Sequence, residues 1–361
     1  MNKKSNDFRL FHEFYRAAKE NLSDGVWDYL IGASETETTF RRNRAALDSI
    51  AFRPRVLRDV DNIDVSASLL GHKLRIPVVL APIGSLQDFN PDGSAGAARA
   101  ASRFGTIPIT SSVSQPGLEE TAAAGDGPKI FQLYVRGDKA WVEDHIRRAM
   151  NAGYIAFCFT VDLDYYVKRE RDVAKRFTTT GRKTAGFNEE HQRRFSWKDI
   201  ARIRDSFDIP LIIKGIATAE DARLAVEHGV EVVYVSNHGG RELDHGRGAL
   251  DVLPEVVAAV DGKAEIIVDG GILRGSDVVK AMALGASAVG IARLYGFAYG
   301  AAGEAGVIQM LEILENEIRS TLGLLGVTRW KELNPGHLHL GAPLVYEPGF
   351  GSAFPLLEQG Y

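Results

Sequence analysis

Residues 210–241 read PLIIKGIATAEDARLAVEHGVEVVYVSNHGGR, and this stretch decides the fold. Pro210–Ile213 is a short apolar run with the composition of a buried strand. Ala219–His228 spaces its apolar residues as a helix does, and Gly229 follows as C-terminal punctuation. A second buried-strand run, Val230–Val235, comes next. Strand, helix and strand in such close succession predict a crossover between parallel strands. Each strand run leads into polar and ionisable residues: Lys214-Gly215 after the first, Ser236-Asn237-His238-Gly239-Gly240-Arg241 after the second.

The same unit recurs along the chain. Further strand candidates are Val78–Ala81, Ile107–Thr110, Ile130–Tyr134, Ile155–Thr160, Glu265–Val268 and Ala288–Ile291. Helical patterns over Gly93–Phe104, Lys139–Asn151 and Ser276–Leu284 alternate with them, and Gly105, Gly153 and Gly285 precede the next strand. Eight strand–helix units in strict alternation predict an α/β fold, a closed (β/α)8 TIM barrel. An open doubly wound sheet is the alternative, but no Gly-x-Gly-x-x-Gly follows the first strand. The 361 residues suit one barrel of about 250 residues with additions. We assign residues 1–75 to a helical preface, 76–333 to the barrel and 334–361 to a C-terminal tail. Ser23 is the expected N-cap of a preface helix carrying Trp27, Tyr29 and Leu30. Arg171–Ser196 reads as a polar loop after the fourth strand.

The composition is that of a globular protein, 45% hydrophobic and 25% charged, enough to bury a large core. A net charge of -4 gives no electrostatic basis for a nucleic-acid partner. The single cysteine, Cys158, excludes an intrachain disulfide and multi-cysteine metal sites, and its apolar flanks predict a buried small hydrophobe. The polar opening shows no signal-peptide core, and no run reaches the roughly 20 apolar residues of a membrane helix. The expectation is a soluble cytoplasmic protein with no membrane partner.

In a barrel of this type chemistry sits where strands end. Those ends carry Pro82-Ile83-Gly84, Ser111, Gln132 and Tyr134, Thr160-Val161-Asp162, Lys214, Ser236 to Arg241, Asp269-Gly270-Gly271, and Arg293. Polar groups thus converge on one rim, which favours an enzyme over a binding scaffold. His238 and Arg241 share one glycine-rich loop, a base beside a planar cation whose fork matches a carboxylate. The bland alternatives are a structural histidine and a surface salt bridge. A lysine buried at the barrel mouth, as Lys214 would be, needs an anionic partner. That partner could be a neighbouring carboxylate, a substrate anion, a phosphate or an anionic cofactor ring; a Schiff base is another option. Asp162 could orient a histidine. The loops after the seventh and eighth strands, at Asp269–Gly271 and Arg293, occupy the usual phosphate position of the fold. The dispersed histidines form no metal-binding pair, so no metal is expected, and His337 and His339 read as exposed tail residues.

With these residues in hand, the chain resembles the FMN-dependent L-2-hydroxy acid oxidase/dehydrogenase family. The resemblance runs from about Val26 to Leu333. It rests on Ser-Asn-His-Gly-Gly-Arg at 236–241, Phe-Gln-Leu-Tyr at 131–134, Thr-Val-Asp at 160–162, Phe-Arg-Pro-Arg at 52–55 and Asp-Gly-Gly-Ile at 269–272. It implies an FMN cofactor, a small 2-hydroxy acid substrate, and oxygen or another electron acceptor. By this resemblance His238 is the base, oriented by Asp162. Arg241 and Arg169 hold the substrate carboxylate, and Tyr29 and Tyr134 bond the carboxylate and hydroxyl. Lys214 faces the electron-accepting edge of the flavin. Gln132, Thr160, Ser111 and Ser236 bind its ring, with Pro82 and the backbone of Ile83 and Gly84. Asp269 takes the ribityl chain, and Gly271 and Arg293 the phosphate. A homo-oligomer, a tetramer by family likeness, is implied too, and the tail aromatics Phe350 and Phe354, with Leu356, are expected to pack on a neighbouring subunit.

The sequence departs from the family pattern at several points. Asp164 and Val167 replace a Pro and a Gly ahead of Arg169, Leu273 replaces a phosphate-binding Arg, and Ala292 replaces a Gly. Val113 stands where some members have Trp, and Gly84 where oxidase members have Ala, which favours slow use of oxygen or a different electron acceptor. From Lys168 to Arg194 nine Lys/Arg outnumber four Asp/Glu, a surface suited to anionic partners or simply a solvated loop. Alternatives to hydroxy-acid oxidation are oxidation of an amine or peptide-derived group, a flavin isomerase, and a flavin-binding protein without turnover.

Overall fold

The computed structural model describes residues 7–185, 189–342 and 350–359. The apolar runs form eight strands: β1 (Val78–Leu80), β2 (Ile107–Ser111), β3 (Ile130–Leu133), β4 (Ala156–Thr160), β5 (Leu211–Ile216), β6 (Val232–Val235), β7 (Glu265–Val268) and β8 (Ala288–Ile291). Each pairs in parallel with the next, and β8 pairs with β1, closing the expected barrel. β5 differs from its expected end at Ile213. It runs on to Ile216 through a register shift between Lys214 and Ile216. Gly215 permits this with φ +120, and a Cβ there would stand 2.7 Å from that of Asp162. The ends of β4 and β5 therefore approach closely.

Strand residues alternate in direction, as the pleat requires. Val79, Ile109, Ile130, Cys158, Ile212, Val232, Tyr234 and Ile267 fill the barrel interior, while Phe131, Phe157, Phe159, Ile213 and Val233 join the outer core. Cys158 is fully buried, and burial pushes its thiol up to about 12, as expected for a small core residue. The hairpin of Ala67–Leu69 and His72–Leu74 adds the buried Leu69 and Leu74 to the interior cluster. Continuing each inward row along its strand leads to Ser111, Gln132, Thr160, Lys214, Ser236 and Asp269, all buried. An apolar plug therefore gives way to a polar layer.

The preface forms helices Phe11–Asn21, Asp24–Ile31 and Thr38–Asp48. Ser23 caps the second, accepting the Val26 N–H at 3.4 Å as its sequence predicts. Arg44 bolts the third to the barrel, donating to both carboxylate oxygens of Asp277 at 2.7 and 2.8 Å and to the Gly271 carbonyl at 3.0 Å. His339 lies in a strand, Leu338–Leu340, paired antiparallel with Ile50–Phe52, rather than in a loop, and its side chain is exposed.

Two expectations are corrected. Phe350 and Phe354 pack on their own chain, 8% and 0% exposed, against Phe297, Tyr15 and Phe40. A buried Phe contributes about 1.5–3 kcal/mol, so folding back within the chain satisfies them. The polar stretch after β4 contains short helices Glu170–Ala174, Thr180–Ala185 and Glu190–Arg194. Residues 343–349 and 360–361 of the tail, and the polar opening at 1–6, lie outside the described residues. No described helix is long and apolar enough to cross a membrane.

Candidate active site

The polar layer is internally bonded. Gln132 Nε2 donates to Thr160 Oγ1 at 2.9 Å, leaving Gln132 Oε1 buried without a partner. Lys214 Nζ donates to Ser236 Oγ at 2.9 Å, and Ser236 donates to Asp269 Oδ1 at 2.6 Å. Asp269 Oδ2 lies 3.7 Å from Lys214 Nζ. Burial works to lower the pKa of Lys214, but Asp269 and Asp162 outweigh it and hold the pKa above the ordinary lysine value. The lysine therefore stays a cation at the barrel mouth. Tyr234 stands beside it, ring 5.3 Å from Nζ, with a buried hydroxyl that has no hydrogen-bond partner. That hydroxyl occupies the place of a side chain at Gly290, where a Cβ would lie 1.9 Å away.

Farther along the loops, His238 Nδ1 meets Asp162 Oδ1 at 2.9 Å. Burial raises the pKa of Asp162, but His238 and Lys214 outweigh it and keep the carboxyl below its ordinary range. A carboxylate at Nδ1 selects the tautomer with the proton there, leaving Nε2 as an acceptor. Nε2 lies 3.4 Å from the Tyr134 hydroxyl. The loop holds this geometry with three successive left-handed residues, His238, Gly239 and Gly240, at φ 57, 65 and 76. At Gly240 a Cβ would stand 2.4 Å from the Phe40 amide nitrogen, so the loop is pressed against the preface. His238 alone among the three carries a side chain in this sparsely populated region, a form of strain concentrated at functional sites.

Three arginines surround the pair. Arg241 Nη1 donates to the carbonyls of Tyr29 at 2.5 Å and Gly32 at 2.9 Å, and Nη2 is buried with no partner. Its guanidinium lies 4.5 Å from the Tyr29 ring. Burial first, and then the charge of Arg169, lower its pKa. Arg169 is differently placed: it forms a buried ion pair with Glu242, and its Nε donates to the Arg241 carbonyl at 3.2 Å. Arg293 donates to the carbonyls of Leu30, Gly239 and Gly32 at 3.3, 2.9 and 2.8 Å. Burial, then Arg241, push it down to about 9. No carboxylate pairs with Arg241 or Arg293 among the described residues.

One cavity unites most of the residues singled out from sequence: Tyr29, Pro82, Ile83, Gly84, Tyr134, Arg169, Lys214, His238, Arg241, Asp269, Gly271 and Arg293 line it. Ser111, Gln132, Thr160, Ser236 and Asp162 are not among its lining residues; they stand at the adjoining strand ends, bonded to one another or to the loops. Ser111 Oγ accepts the Val113 N–H at 3.4 Å. At Gly84 a Cβ would approach Val113 to 2.8 Å and the Tyr29 hydroxyl to 3.5 Å, so its smallness and the identity of Val113 are linked. Leu273 is buried and gives its N–H to Asp277 at 3.0 Å, so it offers the cavity no cation.

Tyr234, Arg136, Tyr166, Arg182 and Glu242 join the site without being expected from the sequence. Arg136, Tyr166 and Arg182 also line the cavity, the last from the helical cover. A signal existed for Arg136, which follows Gln132 and Tyr134 at the same two-residue interval. Among the described residues no three His, Cys, Asp or Glu side chains cluster as metal ligands.

A parallel barrel whose strand ends bring together an oriented histidine, a buried lysine and cations without counter-charges is built for proton abstraction beside an anionic ligand. That defines a barrel enzyme with a base set beside a site for an anionic ligand. Residues 18–340 match the family described as FMN-dependent dehydrogenase. The chain is 38% identical to glycolate oxidase 1 of Oryza sativa subsp. indica, over 93% of this chain and 97% of that protein. It is 37% identical to the L-lactate oxidase of Nostoc sp., over 93% and 99%. A crystal structure of mandelate oxidase superposes with a TM-score of 0.86 at 38% identity, covering 93% and 99% of the two chains. The chain belongs to the FMN-dependent dehydrogenase family, and its cofactor is FMN. The wall fits that group: glycines 270, 271 and 290 open it to a close approach and Lys214 supplies a buried cation, while at the adjoining end of β3 Gln132 Oε1 is an acceptor awaiting a donor.

Proposed function

We propose that this protein oxidises a small L-2-hydroxy acid to the corresponding 2-oxo acid, passing two electrons to FMN. The observation that carries the reading is His238, oriented by Asp162, in one cavity with the partnerless Nη2 of Arg241. His238 Nε2 takes one of the two protons that the oxidation releases, and Tyr134, 3.4 Å away, bonds the substrate hydroxyl. Arg241 holds the carboxylate together with Tyr29. Arg169 adds positive charge behind it, because its fork is engaged by Glu242. Bound FMN supplies the electron-accepting ring. Lys214 would stabilise charge at the electron-rich edge of that ring. Ser111, Gln132, Thr160 and Ser236 would bond its heteroatoms, with Pro82 and the backbone of Ile83 and Gly84 alongside. Asp269 would take the ribityl chain, and Gly271 and Arg293 the phosphate. Relatives named as oxidases support oxygen as the final acceptor.

Anaerobic mixing of the yellow holoenzyme with a panel from L-lactate to L-mandelate tests the reading. Bleaching by at least one acid is expected, with His238→Ala retaining flavin but reducing it about 10²–10⁴-fold more slowly. A panel without bleaching, or full activity in His238→Ala, overturns it. We also propose a cytoplasmic homo-oligomer, a tetramer. The single buried cysteine suits a reducing compartment, and family likeness suggests the assembly.

A further inference from the structure

We infer that the preferred substrate is an L-2-hydroxy acid whose side chain ends in a second carboxylate, bound by Arg136 with Arg182. This rests on the hydroxy-acid reading above and specifies its substrate class.

Strand parity sets the direction of Arg136. Beyond β3 the chain continues outward, with Val135 in the outer core and Gln132, Tyr134 and Arg136 alternating to the other side. Gln132 belongs to the polar layer and Tyr134 stands beside His238. Arg136 lies two residues farther along the chain, a spacing of about 7 Å when the backbone is extended. It lines the same cavity, yet its Nε is shut off from solvent, and among the described residues its guanidinium has neither ion pair nor hydrogen-bond acceptor. Its neighbours are aromatic: the Trp141 ring lies 5.9 Å away, and Tyr134 and Tyr166 are the groups whose charge bears on it.

A second cation joins it from the cover. Arg182 lines the cavity and stacks 3.5 Å over the Tyr166 ring. The carboxylates nearby are committed. Glu189 accepts the Tyr166 N–H at 3.2 Å and lies 3.8 Å from Arg193, while Asp172 is flanked by Arg241, Arg169 and Arg182. Arg136, half-buried and facing no carboxylate among the described residues, gains from a ligand that supplies one. With Arg241 taking the first carboxylate, the spacing from Tyr134 to Arg136 suits a short aliphatic chain ending in a second.

Matched substrates test this on the flavin-loaded enzyme: L-malate and L-2-hydroxyglutarate against L-lactate and L-2-hydroxybutyrate. A kcat/KM about 10²-fold higher for a dicarboxylate is expected. Arg136→Gln should remove most of that advantage, chiefly through KM, lowering the dicarboxylate far more than the monocarboxylate. Arg136→Lys should restore part of it. Flavin-absorbance titration gives an independent readout, in which Arg136→Gln weakens 2-oxoglutarate but not pyruvate. Preference for monocarboxylates, or equal losses on both classes in Arg136→Gln, overturns the inference and leaves the hydroxy-acid reading standing. No reduction by any acid overturns both.

Discussion

Single atoms decide the chemistry at His238. The 2.9 Å contact with Asp162 fixes which ring nitrogen carries the proton, and Nε2 can act as a base only because Nδ1 does not. An asparagine in place of Asp162 can offer its amide N–H to Nδ1 and thereby move the ring proton to Nε2. Asp162→Asn is therefore expected to slow anaerobic flavin reduction about 10²–10⁴-fold, with flavin content unchanged. A rate within a few-fold of the parent in stopped-flow measurements would show that the carboxylate does not orient the base.

The helical cover contributes Asp172, Arg182 and Gln192 to the cavity lining. Gln192 docks it: Oε1 accepts the Val135 N–H at 2.8 Å and Nε2 donates to the Thr160 carbonyl at 3.1 Å, at the ends of β3 and β4. Gln192→Leu leaves two buried backbone groups unbonded, at about 1–3 kcal/mol each, and the segment can escape that cost by opening. Faster proteolysis within residues 170–194 and a raised KM are expected, with the melting temperature of the barrel nearly unchanged. Unaltered proteolysis would show that Gln192 does not hold the cover. This element was also the least legible in the sequence. Its three helices are too short for a 3.6-residue period to register, and their order comes from tertiary contacts such as Gln192 with Thr160. The barrel was legible because eight apolar runs alternate with helical ones. His238, Asp162, Lys214 and Arg241 were legible because they stand directly beyond those runs. Tyr234 was not, since a strand buried on both faces has no polar side to mark which residues point inward. Glu242, the partner of Arg169, sits beside Arg241 in sequence, but only the fold brings it under a residue of a different loop.

For the molecule as a whole, the preface is a working part of the barrel. Tyr29 comes from it, its backbone carbonyls hold Arg241 and Arg293, and Arg44 joins it to Asp277. Removing one partner of a buried ion pair costs about 3–5 kcal/mol, so Arg44→Met should lower stability by that order and loosen flavin retention. The pH dependence has a definite sign. Burial raises Asp277, but Arg44 outweighs it and depresses the pKa. Its contribution is thus present above the unfolded carboxylate value of about 4 and lost as pH falls through the lower folded value. Without Arg44 burial prevails, the carboxyl becomes easier to protonate, and the deficit of the variant shrinks on acidification. Urea denaturation from neutral to acidic pH should show the two stabilities converging, and a constant gap would refute the pairing. The deep seat of Cys158 has a practical consequence of another kind. The chain's one thiol, fully buried and pushed up to about 12, is inert toward maleimide dyes in the folded state. A cysteine introduced at Val173, 62% exposed on the cover, would take a fluorophore without background labelling, so that any opening of the cover in Gln192→Leu reads out as a change in emission.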